Sequence, residues 1–251
     1  MNYYIITGTS RGLGEAIARK LLKEDNFLIC ISRTINHNLV RTSKENGYKL
    51  CYIEFDLSRV DKLDEMMTQI FKNINIEDAQ KICLINNAGT VAPIKTIGDS
   101  SASEIINSFN VNTIAPVLIT SNFIVMLESC GCEKRIINIS SGAGKNPYDG
   151  WSCYCSTKAA LDMFTRCVAL EQEKEEFPVK IISFAPGIID TDMQNEIRQA
   201  SIKYFSQLDK FIGLKENGSL MSVDFVADKV IDLLDDIEFI QGGVIDIRDN
   251  D

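Results

Sequence analysis

Short apolar runs separated by segments of helical length dominate this chain, and that alternation leaves it few possible folds. The runs Tyr3–Thr7, Phe27–Ser32, Leu50–Phe55, Lys81–Asn86, Arg135–Ser140 and Val179–Ala185 read as buried strands. Between them, Glu15–Glu24 carries Ala16, Ile17, Leu21 and Leu22 at helical spacing. Further helices are expected over Val60–Asn73, Ser103–Glu128, Ser152–Glu173 and Phe225–Asp235, with Pro116 kinking the second of these or lying near a helix turn. Gln241-Gly242-Gly243 then turns into a last short strand, Val244–Ile247. Such βαβ units predict an α/β fold, a single Rossmann-type doubly wound parallel sheet of about seven strands with helices on both faces. With no repeat or linker in view, residues 1–251 are expected to form one domain. Asp190–Leu220 breaks the rhythm with turn residues Gly213, Asn217 and Gly218. Ligands of such sheets bind outside the carboxyl ends of the strands. The segment is therefore expected to be a substrate lid at about 190–220 rather than a plain surface insertion.

Charge and cysteine content narrow the function. A net charge of −9 argues against a nucleic-acid partner, which favours a basic face. No apolar run approaches the roughly 20 residues that cross a bilayer, and Met1–Ile6 lacks the basic region of a signal peptide. A cytoplasmic protein with no membrane partner is the expectation. The eight cysteines include two C-x-C pairs, Cys130/Cys132 and Cys153/Cys155, and no C-x-x-C, so reduced structural thiols are expected and no metal site. The single histidine, His37, lies in a polar stretch and reads as a loop residue, which weakens any Ser-His-Asp hydrolase proposal.

Thr7-Gly8-Thr9-Ser10-Arg11-Gly12-Leu13-Gly14 follows the first strand and opens the first helix. Glycines there let backbone amides and a helix N-terminus approach a pyrophosphate. The end of the second strand, Ile31-Ser32-Arg33-Thr34, lacks the acidic residue that would hold a ribose 2′-hydroxyl. Arg33, Ser32 and Arg11 instead suit a 2′-phosphate, pointing to NADP(H). Asp56, after the third strand, is placed to bind the adenine amino group, to cap the following helix, or both.

Tyr154 and Lys158 are four residues apart, on one face of a helix, and Ser141 lies 13 residues upstream of the tyrosine (154 − 141). A free phenol has a pKa of about 10, and a nearby ammonium lowers it toward the working range of an acid/base. Trp151, Tyr148 and Met193 would form a pocket wall tolerant of aromatic substrates. Cys153 and Cys155 flank Tyr154, so thiol oxidation is a conceivable means of inhibition.

In this order the pieces resemble the short-chain dehydrogenase/reductase family over nearly the whole chain. The marks are Thr7-Gly8…Gly12-Leu13-Gly14, Asn86-Asn87-Ala88-Gly89, Asn112, Ser141, Tyr154…Lys158 and Pro186-Gly187 with Thr191 beyond. The resemblance implies that Tyr154 is the general acid, that Ser141 hydrogen-bonds the carbonyl oxygen, and that Lys158 lowers the Tyr154 pKa and holds the nicotinamide ribose. It further implies that Asn112 keeps a relay water, and that Leu57, Asn87, Ala88, Gly89, Pro186, Gly187, Ile188, Ile189 and Thr191 line the cofactor cleft. Homodimers or homotetramers through the Ser103–Glu128 and Tyr154 helices are also implied. Ile5–Ile17, Cys30–Thr34, Ser183–Gln194 and the stretch around Phe211 to Ser222 are similar to the sepiapterin reductase-like and bacterial benzil reductase group. That group implies NADPH-dependent reduction of a small-molecule ketone or diketone, of the benzil to (S)-benzoin or sepiapterin type. The alternatives are a 3-oxoacyl-carrier-protein reductase, which an acidic chain suits poorly, and a catalytically silent NADP-sensing regulator.

Overall fold

Alternate residues of a strand face opposite sides of its sheet, and here both sides are apolar, so each strand must be covered twice. In the computed structural model, which describes residues 1–250, the strands are β1 (Asn2–Thr7), β2 (Asn26–Ser32), β3 (Lys49–Glu54), β4 (Lys81–Asn86), β5 (Glu133–Ile139), β6 (Lys180–Ala185) and β7 (Val244–Asp246). They form one parallel sheet in the order β3-β2-β1-β4-β5-β6-β7, the predicted Rossmann-type architecture. Ile5, Ile29, Leu84, Ile136 and Ile181 face α3 (Leu63–Phe71), α5 (Ala115–Met126) and α6 (Ser152–Gln172), through Leu63, Met67, Ile119, Phe123 and Val168. Ile6, Leu28, Cys30, Ile85, Ile137 and Phe184 face α1 (Gly12–Leu21) and α9 (Val223–Asp235), through Ile17, Leu21, Val226 and Val230. Each such buried aliphatic side chain contributes about 1.5–3 kcal/mol relative to exposure. The strand order reverses between β1 and β4, which opens a crevice at their carboxyl ends.

A polar ladder interrupts the apolar centre. Asn86 and Asn138 are register partners on β4 and β5, and the Asn86 amide donates to Asn138 Oδ1 at 2.8 Å. Asn138 in turn donates to Thr165 of α6 at 2.9 Å, and Asn86 also reaches Thr120 of α5 at 3.2 Å. Buried amides are tolerated where they find partners; Asn86 Nδ2 has two, while Asn86 Oδ1 has none.

Several expected elements differ in detail. His37 is not in a loop: it opens α2 (His37–Asn46), whose first turn is capped by the Asn36 side chain, accepting from Asn38 and Leu39 amides at 3.0 and 3.1 Å. This helix buries only Leu39 and Ser43, too little apolar periodicity to be seen in sequence. The Ser103–Glu128 helix is two helices, α4 (Ala102–Phe109) and α5, joined by a π-helical turn, Asn110–Ile114. Pro116 sits in the first turn of α5 and has no N–H to donate to the carbonyl of Asn112 four residues back. The backbone accommodates it by widening the preceding turn, where the Ala115 amide bonds to Asn110, five residues back. Ala102–Met126 spans 25 residues and its most apolar stretch has mean hydropathy 1.4, long and apolar enough to cross a membrane by length and composition alone. Here its inner side, Ala115, Ile119 and Phe123, packs on the sheet as a core helix does. Asp56 caps no helix. Its Oδ1 accepts from the Ser58 amide at 2.9 Å in a local turn, and a 3₁₀ turn, Val60–Lys62, leads into α3.

After β6 the chain forms two short helices, α7 (Asp192–Arg198) and α8 (Leu208–Glu216), before α9. Ile189 bridges Met221, and the Asp190 amide donates to Met221 at 3.0 Å, so both ends of the excursion are tied together. Phe205 and Phe211, from this segment, are fully buried or nearly so against Trp151.

Candidate active site

The carboxyl ends of β1 and β4 are laced together first. Thr7 Oγ1 accepts from the amides of Asn87 and Ala88, both at 3.0 Å, and the Asn87 side chain donates to the Thr7 carbonyl at 2.9 Å. Helix α1 starts beside this lacing, and its N-cap residue, Arg11, makes no side-chain cap. The first amides of the helix are therefore left for an external acceptor, the arrangement that binds a pyrophosphate. Gly14 does not line the crevice. A Cβ there would stand 2.2 Å from the Gly8 carbonyl oxygen, so only glycine lets the helix approach its own turn.

A cleft of about 390 Å³ runs from this turn to the end of β5. Its walls include Gly8, Ser10, Arg11, Gly12 and Leu13 from the turn, and Ser32, Arg33, Asp56 and Leu57 from the ends of β2 and β3. Asn87, Ala88, Gly89, Ser141, Tyr154, Lys158, Pro186, Gly187, Ile188, Ile189 and Thr191 complete the part expected to hold cofactor. Ser32 Oγ is engaged at 2.7 Å with the Thr34 carbonyl and at 2.6 Å with the Tyr52 hydroxyl, while Arg33 is exposed. Arg11 is paired with Asp192 of α7 across the cleft mouth at 3.0 Å. Uncapped amides, an approachable glycine turn and a cationic, acid-free end of β2 fit a nicotinamide dinucleotide.

Helix α6 brings Tyr154 and Lys158 to the far end of the cleft, and both are buried. Burial pushes the Tyr154 phenol above its ordinary range, and hydrogen bonding with Ser141 pulls it part of the way back. Lys158 is not the source of that relief. Its Nζ donates to the Ile139 carbonyl at 2.8 Å and lies 5.8 Å from the Tyr154 ring centre. Burial pushes the lysine down to about 8, against the opposing pull of Asp162 one turn along the helix. In this state burial, not the ammonium, sets the phenol. Desolvation dominates both groups, because neither has an oppositely charged partner in contact.

Asn112 does not line the cleft. It lies fully buried in the π turn, with Oδ1 accepting from the Thr90 amide at 2.8 Å and Nδ2 donating to the Thr90 carbonyl at 2.8 Å. It also reaches Thr157 Oγ1 at 3.2 Å, and so ties the Gly89–Thr90 loop to α6 directly behind Lys158. Ser141 Oγ accepts from the Ala143 amide at 3.2 Å, whereas the neighbouring Ser140 hydroxyl is buried with no partner.

The remaining wall is aromatic. Trp151 stacks on Phe205 with ring centres 4.7 Å apart and meets Tyr148, Phe211 and Tyr154 at 5.1, 5.4 and 5.5 Å. Met193 packs against the same cluster. Cys153 and Cys155 flank Tyr154 as free thiols, and burial pushes both above the ordinary thiol range, away from reactive thiolate. Lining residues that sequence reasoning missed include Thr90, Asn107, Val111, Gln194, Phe211 and Arg248. Gln194 and Phe211 fall within stretches that carried the resemblance but had no site role there, and only the topology of the sheet brings Arg248 to the end of β5.

A family model described as short chain dehydrogenase matches residues 2–202. The chain is 47% identical to "Benzil reductase ((S)-benzoin forming)" of Bacillus cereus, over 98% of this chain and 99% of that protein. It is 30% identical to "Sepiapterin reductase" of Meriones unguiculatus, over 98% of this chain and 96% of the other. Among solved structures, a short chain dehydrogenase/reductase from Saccharomyces cerevisiae superposes with a TM-score of 0.84 at 26% identity, covering 98% of this chain and 96% of that one. With the sheet, the uncapped glycine turn and the buried tyrosine–lysine pair in place, the chain belongs to the short-chain dehydrogenase family and is an NAD(P)-dependent oxidoreductase acting on carbonyl or CH–OH groups.

Proposed function

We propose that this protein is an NADPH-dependent carbonyl reductase acting on a ketone or diketone, of the benzil to (S)-benzoin or sepiapterin type. The observation that carries the reading is that Ser141, Tyr154 and Lys158 meet in one cleft with the uncapped start of α1 and with Arg33. The names of the relatives, reductases of a diketone and of a pterin side-chain ketone, support the substrate class. When bound, NADPH supplies the hydride.

The chain's own groups manage the carbonyl oxygen. Ser141 donates its O–H to it while still accepting from the Ala143 amide, and offsets the negative charge that develops there. Tyr154 delivers the proton, and its raised phenol pKa keeps that proton in place until the charge arrives. Lys158, mainly protonated below pH 8, orients ribose hydroxyls from its post on the Ile139 carbonyl. Asn112 fixes the loop and helix that frame Lys158, and orders water behind it. Arg33, with Ser32 and a freed Arg11, takes the 2′-phosphate. Residues 190–220 act as the substrate lid of a single domain, with Phe205 and Phe211 closing on Trp151.

Exposed Ile106, Val125, Met163 and Leu170 on α4, α5 and α6 give the apolar face for a homodimer or homotetramer. Eight unpaired cysteines suit a reducing, cytoplasmic address. The test is NADPH oxidation followed at 340 nm with benzil, with product handedness read by chiral chromatography. A clear preference for an acetoacetyl thioester over benzil overturns the diketone reading in favour of a carrier-protein reductase. Absence of oxidation with any carbonyl favours a sensor.

A further inference from the structure

We propose that Arg248 is a specificity-determining residue that binds the carboxylate of an oxo-acid substrate, a few bonds from the carbonyl held at Ser141 and Tyr154. This rests on the carbonyl-reductase reading above and names a narrower substrate class for it. Arg248 lies in the turn that follows β7, remote in sequence from every other residue of the site. Asp246, nearly buried at the end of β7, accepts from Arg248 Nε at 2.7 Å, from Nη2 at 2.6 Å and from the Arg248 amide at 3.0 Å. The fork is side-on. It occupies the Nε–Nη2 edge of the guanidinium, and among the described residues no side chain takes up Nη1 or the outer Nη2 hydrogen, the edge that would grip a second carboxylate end-on.

The free edge is in the right place. The Arg248 side chain is 55% exposed and lines the cleft. A Cβ built on Gly142 would stand 2.8 Å from Arg248 Nη2, so the guanidinium lies over the residue next to Ser141. Ser141, Gly142 and Arg248 thus line one stretch of the cleft wall. Tyr148, Trp151, Met193 and Phe211 offer a purely apolar or aromatic surface nearby, for which no cation is needed. Beside it, Lys145 and Asp249 pair at 3.9 Å and offset each other. Asp246 thus acts as a positioning residue that holds the fork rigid.

The test uses the full-length enzyme as wild type, R248M and R248K, with phenylglyoxylate, 3-benzoylpropionate and benzil as substrates. The expected result is that kcat/KM for the better oxo acid, divided by kcat/KM for benzil, falls at least tenfold in R248M and less in R248K. A parallel loss on all three substrates, or no change in the ratio, overturns the proposal. Binding is read separately through the one tryptophan, Trp151, by titrating 3-phenylpropionate. Its Kd should weaken at least tenfold in R248M, whereas 3-phenylpropanamide binds both proteins alike. Should wild type oxidise NADPH with no carbonyl at all, the reductase reading falls, and the fluorescence titration alone decides the anion contact. Equal carboxylate binding by wild type and R248M sinks it.

Discussion

Replacing Lys158 by methionine should make the protein more stable and inactive at once. The lysine is buried, its ammonium donates to the Ile139 carbonyl, and its pKa is held down to about 8 from an ordinary 10.5. At about 1.4 kcal/mol per pKa unit, burying the charged form costs roughly 3 kcal/mol at pH 7. Methionine has similar length and removes that cost, but leaves the Ile139 carbonyl without this donor, a loss of about 1 kcal/mol. The net gain at pH 7 is about 2 kcal/mol, or roughly 4–8 °C in Tm for a chain of this size.

The pH dependence carries the sign. Between pH 8 and 10.5 the unfolded lysine holds its proton while the folded one has lost it, so wild-type stability rises with pH across that window. The advantage of K158M should therefore shrink to about zero near pH 9.5. Urea unfolding of both proteins at pH 7 and pH 9.5, followed by far-UV circular dichroism, measures it. A variant less stable than wild type at pH 7, or an advantage that does not change with pH, would refute the reasoning.

Three further outcomes are expected. Y154F should lose at least a thousandfold in kcat with benzil while its NADPH affinity, read by nucleotide fluorescence, stays within about threefold, since only the proton donor is removed. R33A should raise KM for NADPH at least tenfold and KM for NADH less than twofold, and equal effects would discard the phosphate pocket. V125E places a charge on the exposed apolar face of α5 and should shift the mass measured by light scattering toward the monomer, whereas a wild-type protein already monomeric would remove that interface.

Much of the sheet was legible because its strands are nearly continuous apolar runs, a pattern set by burial on both faces. The glycine turn and the Tyr154/Lys158 pair were legible for a different reason: local spacing alone dictates their geometry. Helix α2 was not, because its stability comes from the Asn36 cap and few buried contacts rather than from an apolar stripe. The break at Asn110–Ile114 was half legible, since Pro116 announced a disturbance but not that the backbone would widen before it. Lys158 shows a deeper limit. Sequence spacing put its charge beside Tyr154, but whether that charge or desolvation governs the phenol depends on what lies behind both groups. Arg248 was out of reach, because proximity to Ser141 is created by β5, β6 and β7 lying side by side.

The amide ladder in the sheet acts as a ruler for the catalytic end. Asn86 and Asn138 face each other across β4 and β5 with isoleucines before both and after Asn138. Sliding either strand by one residue would set a buried amide against an isoleucine and strand its hydrogen-bonding groups, a cost of about 1–3 kcal/mol for each. The observed alignment pairs the Asn86 amide nitrogen with Asn138 Oδ1 and Thr120 and leaves only Asn86 Oδ1 without a partner. In that alignment Asn87–Gly89, just past Asn86, and Ser141, three steps past Asn138, line the same cleft. The register that brings the cofactor wall and Ser141 to one cleft is therefore decided in the core, by residues that do not line that cleft.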